Sequence, residues 1–140
     1  MKHVSTLMLA LLGLISVSAQ ADVVTAQQAA NDYGLYAKRL NPDVVLSADA
    51  GRAFYTKKVV VDGKDLSCSA CHTDNPANPG KHNVSGKAIK PMAPSVNPQR
   101  FSDINKSERK FSDHCKDLYG KNCSPADKGN FVSYLLTIQK

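Results

Sequence analysis

Apolar positions recur at helical spacing most clearly near the end of the chain. Phe131, Leu135 and Ile138 stand three and four apart, with Val132 and Tyr134 beside them. Ser124 precedes the pattern as an N-cap, with Pro125 at the first helical position and Asp127 at the third. A second helix is expected from about Asp103 to Leu118, closed by Gly120 as a C-cap. Towards the start, Thr25 followed by Gln28 resembles a capping box, and the helix it opens runs to Leu40 and stops at Asn41-Pro42. Ser47 can cap a further helix carrying Phe54 and Tyr55. Only one segment reads as extended. Val59-Val60-Val61, Asp62-Gly63 and Lys64-Asp65-Leu66 make a short hairpin, because Asp-Gly suits a type I′ turn.

Two stretches depart from this alternation. Val4 to Val17 is continuously apolar, follows Lys2 and His3, and leads to Ala19-Gln20-Ala21, the small-x-small pattern of a secretory cleavage site. The run is shorter than the about 20 residues a membrane-spanning helix needs. Residues 1–21 are therefore expected to be a signal peptide, with residues 22–140 as one domain and no membrane insertion after cleavage. The expected location is the periplasm. From Asn75 to Pro98 the chain is dense in Pro, Gly and Asn, which forbids long regular structure. Loops of that length in a compact domain are usually functional or wrapped around something. Internal repeats and low-complexity segments are absent from the sequence.

Charge narrows the partners. Losing Lys2 with the leader takes the formal net charge from +6 to +5. The positive residues are scattered, and no aromatic residues interleave with them as base stacking would require, so nucleic acid is excluded as a partner. A basic surface of this kind suits an acidic redox partner protein, such as another c-type cytochrome.

The four cysteines all lie in the exported part and form two pairs that call for different chemistry. Cys68-Ser69-Ala70-Cys71-His72 is a C-x-x-C-H sequence, the pattern of covalent haem attachment. Thiols three residues apart lie on one side of a helical turn and can reach both vinyl groups on one porphyrin edge, while His72 points at the iron. Small Ser69 and Ala70 leave room for the macrocycle. A thioredoxin-like C-x-x-C would need a βαβ setting, which the expected elements do not supply. A zinc site would have to recruit Cys115, Cys123 or His114. The core agrees with one haem c: without Trp and with 6% aromatic residues, the chain needs a large apolar object to pack around.

The residue on the far side of the iron is not settled by spacing. Met92 sits between Pro91 and Ala93-Pro94, and a Met/His pair would raise the reduction potential. A Met is also a common gap-filler against a haem edge. His82 lies in the Gly/Pro/Asn loop. His114 lies on an expected helix directly before Cys115, and Cys115 could close a short loop onto Cys123. Phe54, Tyr55 and Met92 are candidates to pack on the porphyrin, and Arg100, Lys87 and Lys81 to meet its propionates. Core packing and surface solvation are equal readings for these.

Three segments carry a resemblance: Cys68 to Lys81, Ala93 to Asp103, and His114 to Lys128 with a second Cys eight positions after Cys115. In these the chain resembles the cytochrome c″ family, bis-histidine monohaem proteins first known from methylotrophic bacteria, and the related sphaeroides haem protein. The resemblance spans nearly the whole mature chain. It implies a mostly α, class I cytochrome c fold, with the short β-hairpin and long loop around one covalent haem. It also implies His72 as proximal ligand, His114 as distal ligand and a Cys115–Cys123 disulfide. In the cytochrome c″ family the distal His leaves the iron on reduction and takes up a proton. The sphaeroides haem protein has Asn there and binds small diatomic ligands; this chain has His. Met92 and His82 depart from the family pattern. The function expected is periplasmic electron transfer by a non-enzymatic carrier, with binding, sensing or reduction of O2, NO or CO as the alternative.

Overall fold

The computed structural model describes residues 25–140, so the expected leader lies outside the described residues. Five helices and two small hairpins follow in order: α1 Ala26–Leu40, α2 Ala48–Thr56, β1 Val59–Val61, β2 Lys64–Leu66, α3 Cys68–His72, β3 Gly80–Lys81, β4 Ala88–Ile89, α4 Ile104–Tyr119 and α5 Pro125–Thr137.

Local chemistry explains the boundaries. The Thr25 hydroxyl accepts from the Gln28 amide at 3.2 Å and the Gln28 side chain accepts from the Thr25 amide at 2.8 Å, a complete capping box. Ser47 and Asp103 cap α2 and α4 in the same way, and Ser124 with Asp127 forms a second complete box before Pro125. Gly120 ends α4 at φ +67°, the left-handed conformation that glycine adopts without a Cβ penalty. The β1–β2 turn has Asp62 and Gly63 at φ +50° and +73°, with Val61 paired to Lys64, as a type I′ turn requires.

The core forms where α1 and α2 cross α5. Ala26, Ala29, Ala30 and Tyr33 face Phe131, Val132 and Leu135, and all are buried. Small residues set the spacing. A Cβ on Gly51 would collide with the Asn130 carbonyl, so α2 can lie on α5 only with glycine there. Asn130 returns the contact by accepting from the Ser47 amide at 2.7 Å, which ties the start of α2 to α5.

The segment expected to lack regular structure holds one small element. Gly80 pairs with Ile89 and Lys81 with Ala88 in an antiparallel hairpin. Two-residue strands carry too little periodicity to be read from composition. Among the described residues, no helix is long and apolar enough to cross a membrane.

Candidate haem-binding site

Helix α3 is a single turn, opened by Ser67, whose hydroxyl accepts from the Ala70 amide at 3.1 Å. It therefore turns Cys68 and Cys71 to one side, and both are free thiols. The turn ends in an unusual backbone: Thr73 has φ +65° and ψ 164°, a region costing a non-glycine residue of order 1–3 kcal/mol. Tyr55 holds this exit in place. Its ring is fully buried against Phe131 and Tyr134, and its hydroxyl donates to the His72 carbonyl at 3.0 Å and the Thr73 carbonyl at 2.6 Å. The second hairpin approaches from the other side, where a Cβ on Gly80 would collide with the Cys71 carbonyl.

The electrostatics of the motif separate its possible chemistries. Burial pushes the Cys68 thiol up to about 11, with Cys71 adding to the shift against a lowering backbone hydrogen bond. A disulfide-exchange C-x-x-C needs a depressed thiol, so that reading does not fit. Cys115 and Cys123, which a zinc site would have to recruit, are joined to each other as a disulfide. Burial first, then the nearby Arg100 and His114 side chains, lower His72 to about 4. It is a neutral imidazole, the form that ligates a metal. Its Nδ1 is buried without a hydrogen-bond partner. Two thiols on one side of the turn beside a neutral, half-buried imidazole are a donor set that fits a covalently bound haem.

His114 lies on α4 and is exposed. Its Nδ1 is 2.8 Å from the Lys110 carbonyl, and a carbonyl only accepts, so Nδ1 carries the proton and Nε2 keeps its lone pair. That backbone contact is the usual way a protein fixes the tautomer and aim of a metal-ligating imidazole. Next to it, Cys115 and Cys123 form a disulfide with Cα atoms 5.6 Å apart. His82 is arranged differently: its Nδ1 accepts from the Val84 and Ser85 amides at 3.3 and 3.1 Å, which turns it into its own exposed loop. Met92 is buried in the main core, and its amide donates to the Pro76 carbonyl.

The remaining candidates divide. Phe54 lies between Tyr119 and Phe131, with centroids 5.6 and 6.1 Å away. Lys81 and Lys87 are exposed. Arg100 is half-buried and spends Nε and Nη2 on the carbonyls of Lys90 and Pro91, so its guanidinium organises the loop. Tyr119 was not a candidate from sequence. Its buried hydroxyl lacks a partner, and burial together with the nearby charge of Cys68 raises it to about 12. It packs on Phe54 under the Lys57 ammonium, a tertiary contact that no local pattern announces. Two cavities, of about 500 and 420 Å³, are lined by none of the candidate haem-site residues, although Asp74 and Leu66 on their walls flank the attachment turn.

Residues 43–135 match a family described as Domain of unknown function (DUF1924). Cytochrome c″ of Methylophilus methylotrophus is 45% identical over 129 residues, covering 91% of this chain and 90% of that protein. This chain belongs to the cytochrome c″ family. The crystal structure of oxidised Methylophilus cytochrome c″ superposes with a TM-score of 0.76 at 44% identity, covering 82% of this chain and 95% of the other. The cytochrome c-type protein SHP of Cereibacter sphaeroides is 32% identical over 89 residues, 63% of this chain and 68% of its own. A structure of oxidised SHP, described as an oxygen-binding cytochrome c, gives a TM-score of 0.69 at 27% identity, covering 79% of this chain and 94% of the other. The mostly helical cytochrome fold expected from sequence is therefore the fold of this family, and the chain is a monohaem cytochrome.

Proposed function

We propose that this protein is an exported electron carrier of the periplasm, with one haem c bonded through Cys68 and Cys71, held by His72 and His114, and with His114 released on reduction. The observation that carries the reading is the His114 ring: the Lys110 carbonyl sets its tautomer, its Nε2 keeps a lone pair, and it stands near enough to His72 to act on it electrostatically. When bound, the haem supplies a one-electron couple and an iron that holds neutral imidazole more firmly in the ferric than in the ferrous state. His72, half-buried at the end of the attachment turn, is the constant ligand. His114 is the exchangeable one, exposed on a helix whose disulfide limits its travel. A metal-bound imidazole nitrogen cannot take a proton, whereas a histidine in water titrates at about 6.5. Release therefore couples proton uptake to electron uptake. A solution structure of the Methylophilus protein, 44% identical with a TM-score of 0.73 over 82% of this chain and 94% of that one, is described as giving insight into haem-ligand detachment, which supports the reading.

The test is potentiometric titration of the wild type and His114→Ala between pH 5 and 9. The wild-type potential falls as pH rises through the histidine range, approaching about 59 mV per unit for one proton and one electron. His114→Ala has a high-spin ferric state and loses most of that slope. A low-spin ferric spectrum in the variant would assign the ligand to Met92 or His82 instead.

A second reading is favoured by the SHP relative, described as oxygen-binding. With His114 released, the site would bind O2, NO or CO, and the protein would serve as a binder, sensor or reductase of such a ligand. Stopped-flow electron exchange with a reduced c-type cytochrome, compared with turnover of nitric oxide, separates the two. Carriage predicts fast exchange and negligible turnover.

A further inference from the structure

We propose that Glu108 and Lys128 are positioning residues for His114: their ion pair is a directional polar tie between α4 and α5, beside the disulfide and the Phe111–Phe131 contact, and it sets where the imidazole stands. The inference rests on the reading of His114 as an axial ligand. One face of α4 is committed to the body of the protein through residues spaced by three or four. Ile104 packs on the core and Phe111 stands edge-on to Tyr33 and Phe131. Cys115 bonds to Cys123 and Tyr119 lies on Phe54. Glu108 belongs to this face, and its Oε2 accepts from the Lys128 ammonium at 2.6 Å.

Lys128 is an unusual residue to find there. Its side chain is only 13% exposed, and its nitrogen stands 5.7 Å from the Tyr33 ring centroid and 5.8 Å from that of Phe111. A lysine so enclosed gives up hydration that must be returned by a partner, here one carboxylate and two ring faces. Burial raises Glu108, but hydrogen bonding from Lys128 and Tyr33 and the Lys128 charge hold it below the ordinary range. The Tyr33 hydroxyl and Glu108 Oε1 form no well-aligned hydrogen bond, so Tyr33 acts as a near neighbour and Lys128 as the anchor.

The placement on α4 gives the pair its consequence. Glu108 and Cys115 are seven residues apart, about 10 Å along a helix. They meet α5 and the residue before its cap, Lys128 and Cys123. His114 lies between these ties, one residue before Cys115 and so about 100° around the helix from it. A helix tied at one point can pivot; tied at two it cannot turn its intervening side chains. The disulfide and the packing of Phe111 hold α4 against the protein, and the ion pair adds a directional contact that resists its roll. His114 is thus held at the edge of the pinned face, and its release is a movement of the side chain with α4 in place.

Imidazole added to the oxidised holoprotein can bind only after His114 has left, so its association rate, followed by stopped-flow absorption, reports how well the ring is held. Glu108→Gln keeps the shape and Lys128→Met keeps the contact with Tyr33 and Phe111, yet each removes one charge. Either variant should raise the rate about fivefold, and Lys128→Arg should stay within about twofold of wild type. Thr25→Ala, which removes the cap of α1 away from this pair, should leave the rate unchanged. Rates within about twofold of wild type in Glu108→Gln and Lys128→Met would overturn the proposal, as would an equal rise in Thr25→Ala. The underlying ligand assignment fails separately, if wild type and His114→Ala bind imidazole at the same rate.

Discussion

Replacing Tyr55 with phenylalanine probes the link between the helical core and the haem turn. The substitution leaves the buried ring against Phe131 and Tyr134 and removes only the hydroxyl. That hydroxyl serves two carbonyls, of His72 at 3.0 Å and Thr73 at 2.6 Å, at the residue whose backbone has the costly positive φ. Loss of a donor to partly buried acceptors costs about 1–3 kcal/mol, a large share of the about 5–15 kcal/mol that stabilises a domain. Guanidinium unfolding of the oxidised protein at pH 7 should show that loss as a lower midpoint with an unchanged slope. The pH dependence carries a sign as well. Burial first, then the charges of Cys68, Tyr134 and Asp74, raise the Tyr55 hydroxyl well above its unfolded value of 10.0. The stabilisation from its protonated form is therefore complete below pH 10 and lost as pH rises above it. The gap between wild type and variant should be flat from pH 6 to 9 and narrow above 10. A variant within about 0.5 kcal/mol of wild type at pH 7 would refute the reasoning, as would a gap already narrowing near neutrality.

Two further outcomes test the scaffold. Replacing Cys115 and Cys123 together with serine opens a loop of eight residues' separation; chain entropy puts the loss at about 2–3 kcal/mol, read from the denaturation midpoint. Gly51→Ala sets a helix-propensity gain of about 1 kcal/mol against the collision with the Asn130 carbonyl, which overpacking values place at about 1–3 kcal/mol. Collision should win, lowering Tm in a thermal melt, and a raised Tm would mean that α2 can move away from α5.

Much of this architecture was legible in the chain because its signals are local. Thr25, Ser47, Asp103 and Ser124 mark helix starts through their own side chains, and Gly120 marks an end. The attachment turn is read from five consecutive residues. What escaped depends on distant partners. The hairpin at Gly80 to Ile89 has strands of two residues, too short for alternation. Arg100 reads from sequence as a propionate partner or a solvated cation, and its use on the carbonyls of Lys90 and Pro91 follows from the path of a loop that composition leaves open. Lys128 stood among other solvated charges in the sequence, and only the crossing of α4 over α5 encloses it against Tyr33 and Phe111. For His114, periodicity alone favoured an exposed helical residue. The Lys110 carbonyl on its Nδ1 is what gives it a ligand's tautomer.

The central claim is an imidazole ligand that is present in one oxidation state and absent in the other. Paramagnetic resonance and absorption spectra of the purified holoprotein, taken oxidised and then fully reduced near pH 6, address it directly. The account predicts a low-spin, bis-histidine ferric protein and a high-spin, five-coordinate ferrous one that takes up carbon monoxide without delay. A reduced protein that stays low-spin and six-coordinate would contradict it.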